Sequence, residues 1–120
     1  PQEPNTGAPQ PHWDSNTLED MVGDDVELQQ RILRSFLNSS APQIETLKKS
    51  TPLSETARVG SAAHTLKSAA RSVGAMRLGE LCQGMEMAGK SGDAARCQQL
   101  LPEVCTAYEK ACGTINLLLM

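Results

Sequence analysis

Apolar residues recur every three or four positions through most of this 120-residue chain, a spacing typical of amphipathic α-helices. Short polar turns divide the pattern into one brief helix, from Trp13 to Val22, and four long ones. Gly23 and Gly74 suit helix ends, because glycine readily adopts the left-handed backbone found there. The long segments are predicted from Asp24 to the turn Ser50–Ser54, from that turn to Gly74, from Gly74 to Gly92, and from Asp93 to Leu118.

Capping residues and prolines refine these boundaries. Side chains of Asp, Ser and Thr can accept hydrogen bonds from the free amides at a helix start. The candidates are Asp14 or Ser15, Asp24, Thr51 or Ser54, and Asp93, in chain order. Pro42 and Pro102 lie inside the second and fifth segments, and each removes one backbone donor. Because the apolar spacing keeps its phase across both, we expect a kink or short break at Pro42 and a kink at Pro102.

The pattern predicts an all-α fold, an antiparallel four-helix bundle with the short N-terminal helix as a lid. Aromatic residues make up only 2% of the chain, so aliphatic, methionine and cysteine side chains must form the core. In the last helix, steps of three and four predict a heptad seam of Ala94, Cys97, Leu101, Val104, Tyr108, Ala111, Ile115 and Leu118. Residues 1–12 are rich in proline and glutamine and predict a flexible linker, with His12 at its edge lacking a partner. The bundle domain is therefore expected to comprise residues 13–120.

Composition and charge argue against several functions. The net charge of −3 and the lack of a Lys/Arg block disfavour nucleic-acid binding. No apolar run is long enough to cross a membrane. The four cysteines form no Cys-x-x-Cys pair, so we interpret them as buried hydrophobic residues in a reducing cytosol rather than zinc ligands. The chain begins with proline rather than methionine, which predicts one domain of a larger protein.

The third segment carries the candidate chemistry. His64 lies about 200° around the helix from Leu66, so it faces away from the apolar stripe. Residues three, four and seven positions away share the face of the histidine. They are Gly60, Ser61, Lys67, Ser68 and Arg71. A solvent-facing imidazole among small residues and two cations is arranged to receive an anion.

An antiparallel turn near Gly74 would place residues of the third and fourth segments side by side where their numbers sum to about 150. The predicted pairs are His64 with Glu86, Lys67 with Gln83, and Arg71 with Gly79. The carboxylate of Glu86 could then accept the Nδ1 proton of His64 and leave Nε2 free. A nucleophilic or metal-binding imidazole needs this arrangement.

These residues carry a resemblance. The run His64-Thr65-Leu66-Lys67-Ser68, followed by Gly74-Ala75, Leu78, Leu81 and Glu86, resembles the histidine-containing phosphotransfer (HPt) domain family. The family pattern is His-x-Leu-Lys-Gly with a downstream Gly-Ala and a later Glu, and the resemblance extends from about Trp13 to Leu118. Ser68 departs from it, because the family usually has glycine there to leave room for the phosphoryl group and a docking partner. We expect that departure to affect rate or partner preference.

The resemblance implies a monomeric cytoplasmic bundle that relays phosphoryl groups between receiver-domain aspartates. It implies no ATP site and no metal site of its own, with Mg²⁺ supplied by the receiver. The parent chain is expected to be a hybrid sensor histidine kinase, which can be anchored in the inner membrane, with this domain at its C-terminal end. The implied roles are His64 as phosphoacceptor, Lys67 as the cation beside the phosphoryl group, Ser68 as the small residue beneath it, Glu86 as the residue that orients the ring, and Arg71, Gln83, Ser61 and Gly60 as phosphate or partner contacts.

Four alternatives remain open from the sequence. The phosphotransfer domain of a chemotaxis-type kinase shares the same bundle but receives phosphate from an ATP-binding domain. The dimerisation domain of a histidine kinase resembles a two-helix dimer, with an acidic residue after the histidine where this chain has Thr65. From a different class, the chain could be a non-catalytic helical interaction bundle, or a metal-binding one that uses His64 with cysteines.

Overall fold

The computed structural model describes residues 11–120, and within them it contains five α-helices and no β-strand. The helices are α1 (Thr17–Val22), α2 (Val26–Ser50), α3 (Thr56–Val73), α4 (Met76–Lys90) and α5 (Ala94–Leu119). The four long helices, α2, α3, α4 and α5, form an antiparallel bundle in which short turns connect each helix to the next. The most extensive interface is between α3 and α4. The predicted all-α four-helix bundle is confirmed. Most of the predicted linker, residues 1–12, lies outside the described residues.

The core consists mainly of aliphatic side chains, as the scarcity of aromatic residues requires. The largest fully buried side chains include Leu47, Leu66, Leu78, Met85 and Ile115, with one or more from each long helix. The short α1 contacts α2 and α3, and it buries Leu18 against them. None of the described helices is long and apolar enough to cross a membrane.

The segment before α1 is tied to the turn between α3 and α4. The N–H of Asp14 donates to the carbonyl oxygen of Gly74 over 2.8 Å. Gly74 has a φ of 99°, and a Cβ at this position would lie 2.5 Å from the carbonyl oxygen of Asp14. Only glycine meets both demands, so the predicted helix end at Gly74 also sets how closely the N-terminal segment approaches the bundle.

Three predicted helix starts are wrong, and one is correct. Asp25 rather than Asp24 caps α2, because Asp25 has the extended backbone of an N-cap and accepts the N–H of Leu28 over 3.0 Å. Thr51 retains a helical backbone at the end of α2, so it cannot cap α3, whose first turn begins after Glu55 without a side-chain cap. Asp93 does cap α5, as predicted, by accepting the N–H of Arg96. At α1, the N-cap position is Asn16 and not the predicted Asp14 or Ser15.

Both proline-containing helices run without a break, so the short break considered at Pro42 does not occur. Pro42 and Pro102 are exposed, and the carbonyl groups that lose a donor can turn to water. Ser40 and Ile44, on either side of Pro42, are both buried. The burial of residues before and after Pro42 therefore keeps α2 helical across the proline.

The predicted seam of α5 is confirmed at Cys97, Val104, Ala111 and Ile115, which are buried, but not along its whole length. Leu100 and Ala107 are buried, whereas Leu101 is half-buried and Leu118 is exposed. The reason is that α5 packs against both α4 and α2. The positions of these two helices determine which side chains of α5 are buried. His12 also has a partner, contrary to prediction, since its Nε2 lies 2.9 Å from the Oγ1 of Thr114.

The cysteine prediction is correct for two residues and wrong for the other two. Cys82 and Cys97 are buried, whereas Cys105 and Cys112 on α5 are only half-buried. Cys105 and Cys112 lie beside the buried stripe of α5 rather than on it, which accounts for the difference. Burial raises the pKa of Cys82 to about 12, so this thiol stays protonated and is a poor metal ligand.

Candidate functional site

The predicted side-by-side pairs of α3 and α4 are all present. His64 Nδ1 lies 2.9 Å from Glu86 Oε2, and Lys67 Nζ donates to Gln83 Oε1 over 3.1 Å. The side chain of Arg71 crosses Gly79, where an added Cβ would lie 3.0 Å from the Arg71 Cγ. The candidate site is therefore built from two antiparallel helices in the expected register.

Two glycines allow the helices to approach this closely. A Cβ on Gly89 would lie 2.6 Å from the backbone nitrogen of Gly60 and 2.7 Å from the carbonyl oxygen of Thr56. Those distances are shorter than a side-chain carbon tolerates, so the backbones of α3 and α4 are in direct contact one turn before His64. Gly60 is consequently buried, and the prediction that it shares the exposed face of His64 is wrong.

Glu86 is the centre of the site. Its side chain is only 6% exposed, and three neighbouring groups contact its two oxygens. Lys67 Nζ lies 2.6 Å from Oε1, and Lys90 Nζ lies 2.7 Å from Oε2, which also faces His64. The hydrogen bonds from Lys67 and Lys90 and, to a smaller extent, His64 lower the pKa of Glu86 from 4.5 to about 2, although burial acts in the opposite direction. Glu86 is therefore a carboxylate at any physiological pH.

This carboxylate determines the state of the imidazole. An ionised carboxylate can only accept hydrogen bonds, so Nδ1 of His64 carries the hydrogen that points at Glu86. In the neutral ring, Nε2 then holds the lone pair. The His64 side chain is 57% exposed, and a partner can approach Nε2 from solvent. The geometry thus presents an oriented imidazole, with its Nε2 lone pair available, on the surface of the α3–α4 helix pair.

The two lysines that contact Glu86 differ in exposure and in their number of partners. Lys67 is only 15% exposed and is held between Glu86 and Gln83. Lys90 is 68% exposed, and its only described partner is Glu86, four residues earlier on α4. Sequence reasoning did not identify Lys90, although the Glu86–Lys90 spacing is the i,i+4 pattern of a helix ion pair and could have indicated it.

The remaining predicted residues lie on two sides of His64. Ser61 lines an open groove of about 630 Å³ between the start of α3 and the end of α4, together with His64 and Lys90. On the other side, Ser68 and Arg71 are exposed, and Arg71 and Gln83 border a separate depression of about 140 Å³. In the described part of the chain, no group of three or more His, Cys, Asp or Glu residues is placed to hold a metal ion.

The lowered pKa of Glu86 predicts a pH-dependent contribution to stability. A carboxyl whose folded-state pKa lies below its unfolded value stabilises the fold above about pH 4.5 and loses that contribution as the pH falls towards 2. We expect Glu86→Gln to lower the free energy of unfolding by about 1–3 kcal/mol at pH 7, after allowing for solvent screening of the exposed partners.

Urea unfolding at pH 7, 4 and 3 measures this effect. The difference between wild type and Glu86→Gln should shrink over that range. The exposed Glu109 on α5 provides a control, because Glu109→Gln should give a small and nearly constant difference. A Glu86→Gln difference that stays the same from pH 7 to pH 3 would contradict the assignment of Glu86 as a stabilised buried carboxylate.

Comparison with known proteins bears on the family and on the fold. A family model described as the Hpt domain matches residues 31–114, well over half of the chain. The crystal structure of histidine-containing phosphotransfer protein B (HptB) from Pseudomonas aeruginosa PAO1 superposes with a TM-score of 0.82 at 18% identity, covering 89% of this chain and 93% of that one. At that identity the likeness demonstrates a shared fold. No curated protein matches the chain. On the strength of the family match, this chain belongs to the Hpt domain family of histidine phosphotransfer modules.

Proposed function

We propose that Nε2 of His64 accepts a phosphoryl group from the aspartyl phosphate of one receiver domain and passes it to the aspartate of another. The observation that carries this assignment is the 2.9 Å contact of Nδ1 with the buried carboxylate of Glu86, which leaves Nε2 on the exposed side of the ring. Membership of the Hpt family supports the general activity, histidine phosphotransfer in a phosphorelay.

In the transfer step, the lone pair of Nε2 forms a bond to phosphorus as the bond between phosphorus and the aspartyl oxygen breaks. The aspartate leaves as a carboxylate, and the ring keeps its Nδ1 hydrogen and gains a positive charge. Glu86 faces that hydrogen and stabilises the developing charge. The reverse step returns the phosphoryl group to an aspartate by the same route.

Positioning accounts for most of what the chain contributes. Phosphoryl transfer requires in-line approach and neutralisation of charge more than covalent help from the protein. Glu86 fixes the ring, Lys67 fixes Glu86 through Oε1, and Gln83 fixes Lys67. In this role, Lys67 acts mainly by positioning the carboxylate, because its Nζ already has two partners.

The partner supplies the remaining chemistry. We assign Mg²⁺ to the receiver, whose carboxylates would hold it beside the phosphorylated aspartate. The chain itself then needs no ATP site. It acts as a monomer in the cytoplasm, as the C-terminal module of a hybrid sensor histidine kinase. The contacts with receivers are assigned to the exposed surface around His64, with Ser68, Arg71 and Ser61 as candidates.

Direct transfer from a receiver tests the proposal. Receivers from the same organism, phosphorylated with acetyl phosphate in Mg²⁺, are freed of excess donor and mixed with the chain. At least one should transfer a phosphoryl group that is labile in acid and stable in alkali. Chelation of Mg²⁺ should stop the transfer.

Two results would favour the alternatives. Uptake only from an ATP-binding kinase domain, with no receiver as donor, would indicate the chemotaxis-type module. No uptake from any donor would indicate a non-catalytic interaction bundle.

A further inference from the structure

The contacts of Glu86 include one more cation than the carboxylate needs. Lys67 alone neutralises it through Oε1, over 2.6 Å and with little exposure. Lys90 adds a second ammonium group on Oε2, the oxygen that His64 also uses. When the His64 ring is neutral, the two lysines and Glu86 together carry a net charge of +1 beside the exposed Nε2.

Lys90 is also the cation on the side of the ring where a phosphoryl group would lie. Side chains on a helix lean towards its N-terminus, so His64 on α3 leans towards Ser61 and away from Ser68. In agreement, His64, Ser61 and Lys90 line the same groove, whereas Arg71 borders a different depression. The Ser61 hydroxyl has no hydrogen-bond partner among residues 11–120 and is free to donate.

We propose that Lys90 is a mobile cation that leaves Glu86 and contacts the phosphoryl group on Nε2 of His64, with the Ser61 hydroxyl as a second donor in the groove. The inference rests on the proposed function of His64 and extends it to a binding site for the phosphoryl dianion. The groove between the start of α3 and the end of α4 is that site.

Charge and exposure make this exchange feasible. An exposed i,i+4 ion pair is weak, so little stability is lost when Lys90 moves. After transfer, the ring is positive and the phosphoryl group carries two negative charges. Lys67 and the ring remain beside Glu86, and Lys90 can then balance the phosphoryl dianion together with them. The surplus charge of the unphosphorylated site is thus used in the phosphorylated one.

A simpler explanation is that Lys90 only stabilises α4. A lysine in the last turn of a helix interacts favourably with the helix dipole, and Lys90 occupies that position. Lys49 provides a matched control, because it is an exposed lysine in the last turn of α2 with no ion pair in the described chain. If Lys90 served only the helix, Lys90→Gln and Lys49→Gln would behave alike.

The test uses potassium phosphoramidate, a small P–N phosphoryl donor, so that no receiver surface contributes. We expect Lys90→Gln to be phosphorylated on His64 about 3- to 10-fold more slowly than wild type, the range expected for one lost charge-assisted hydrogen bond at an exposed site. Lys90→Arg should recover most of the rate, and Lys49→Gln should match wild type. Ser61→Ala should slow uptake by a smaller factor.

Nitrogen-15 NMR of the lysine side chains provides a readout that helix stability would not change. The Nζ resonance of Lys90 should shift on phosphorylation, whereas that of Lys49 should not. A wild-type rate in Lys90→Gln together with an unchanged Lys90 resonance would overturn this inference and leave His64 as the phosphoacceptor. If wild type takes up no phosphoryl group from any donor, the proposed function falls, and this inference falls with it.

Discussion

Replacing His64 with glutamine is expected to abolish phosphorylation of this chain, with a fall of at least about 1,000-fold, because the amide has no nucleophilic nitrogen. Glutamine is similar in size, and its amide can still donate to Glu86. The position is more than half exposed, so the free energy of unfolding should change by no more than about 1 kcal/mol. Loss of activity without loss of the fold is therefore the expected result.

The chain provides a matched control, since His12 is its second histidine. His12 contacts Thr114 on α5 and does not line the groove that contains His64, so His12→Gln should be phosphorylated as wild type is. Uptake from phosphoramidate, measured by acid lability and by mass, distinguishes the two variants. Retained phosphorylation in His64→Gln, or its loss in His12→Gln, would contradict the assignment.

The second large effect is expected at the contact between α3 and α4. A Cβ on Gly89 would lie within 2.7 Å of three backbone atoms of α3, and backbone cannot rotate aside as a side chain can. Gly89→Ala must therefore separate the helices, and we expect it to lower the free energy of unfolding by about 2–4 kcal/mol. The separation would also lengthen the contact between His64 and Glu86 and slow phosphorylation.

Gly113 serves as a control, because a Cβ at this glycine would meet no other atom. It lies inside α5 with nothing within 4 Å of its would-be Cβ. Because alanine favours a helix over glycine, Gly113→Ala should raise the free energy of unfolding by about 0.5–1 kcal/mol. Urea denaturation of both variants makes the comparison. If Gly89→Ala is as stable as wild type, the helices are not in backbone contact at this point.

Much of the site was predictable from local pattern. The spacing of apolar residues identifies the helices, because a helix that packs on a core must show its apolar side every three or four residues. The short turn at Gly74 sets the antiparallel register, so the pairing of His64 with Glu86 follows from counting. The resemblance to HPt domains rests on that same stretch, and the family match agrees with it.

The features that the sequence predicted incorrectly depend mostly on distances between helices. Gly60 shares the angular position of the exposed residues on α3, yet it is buried because Gly89 lets the backbone of α4 reach it. The buried face of α5 is set by two neighbours, which the periodicity of a single helix cannot specify. The cap of α2 at Asp25 depends on which of two adjacent aspartates has the extended backbone.

Sequence by itself determined the helix order, the bundle and the identity of the exposed histidine, because these follow from local periodicity and one short turn. The family came from the resemblance of the motif around His64 to HPt domains. Only the tertiary structure decided that Glu86 is a buried carboxylate shared by His64, Lys67 and Lys90. The physical reason is that burial and charge pairing depend on how closely α3 and α4 approach, and that distance is set by the backbone contact of Gly60 with Gly89.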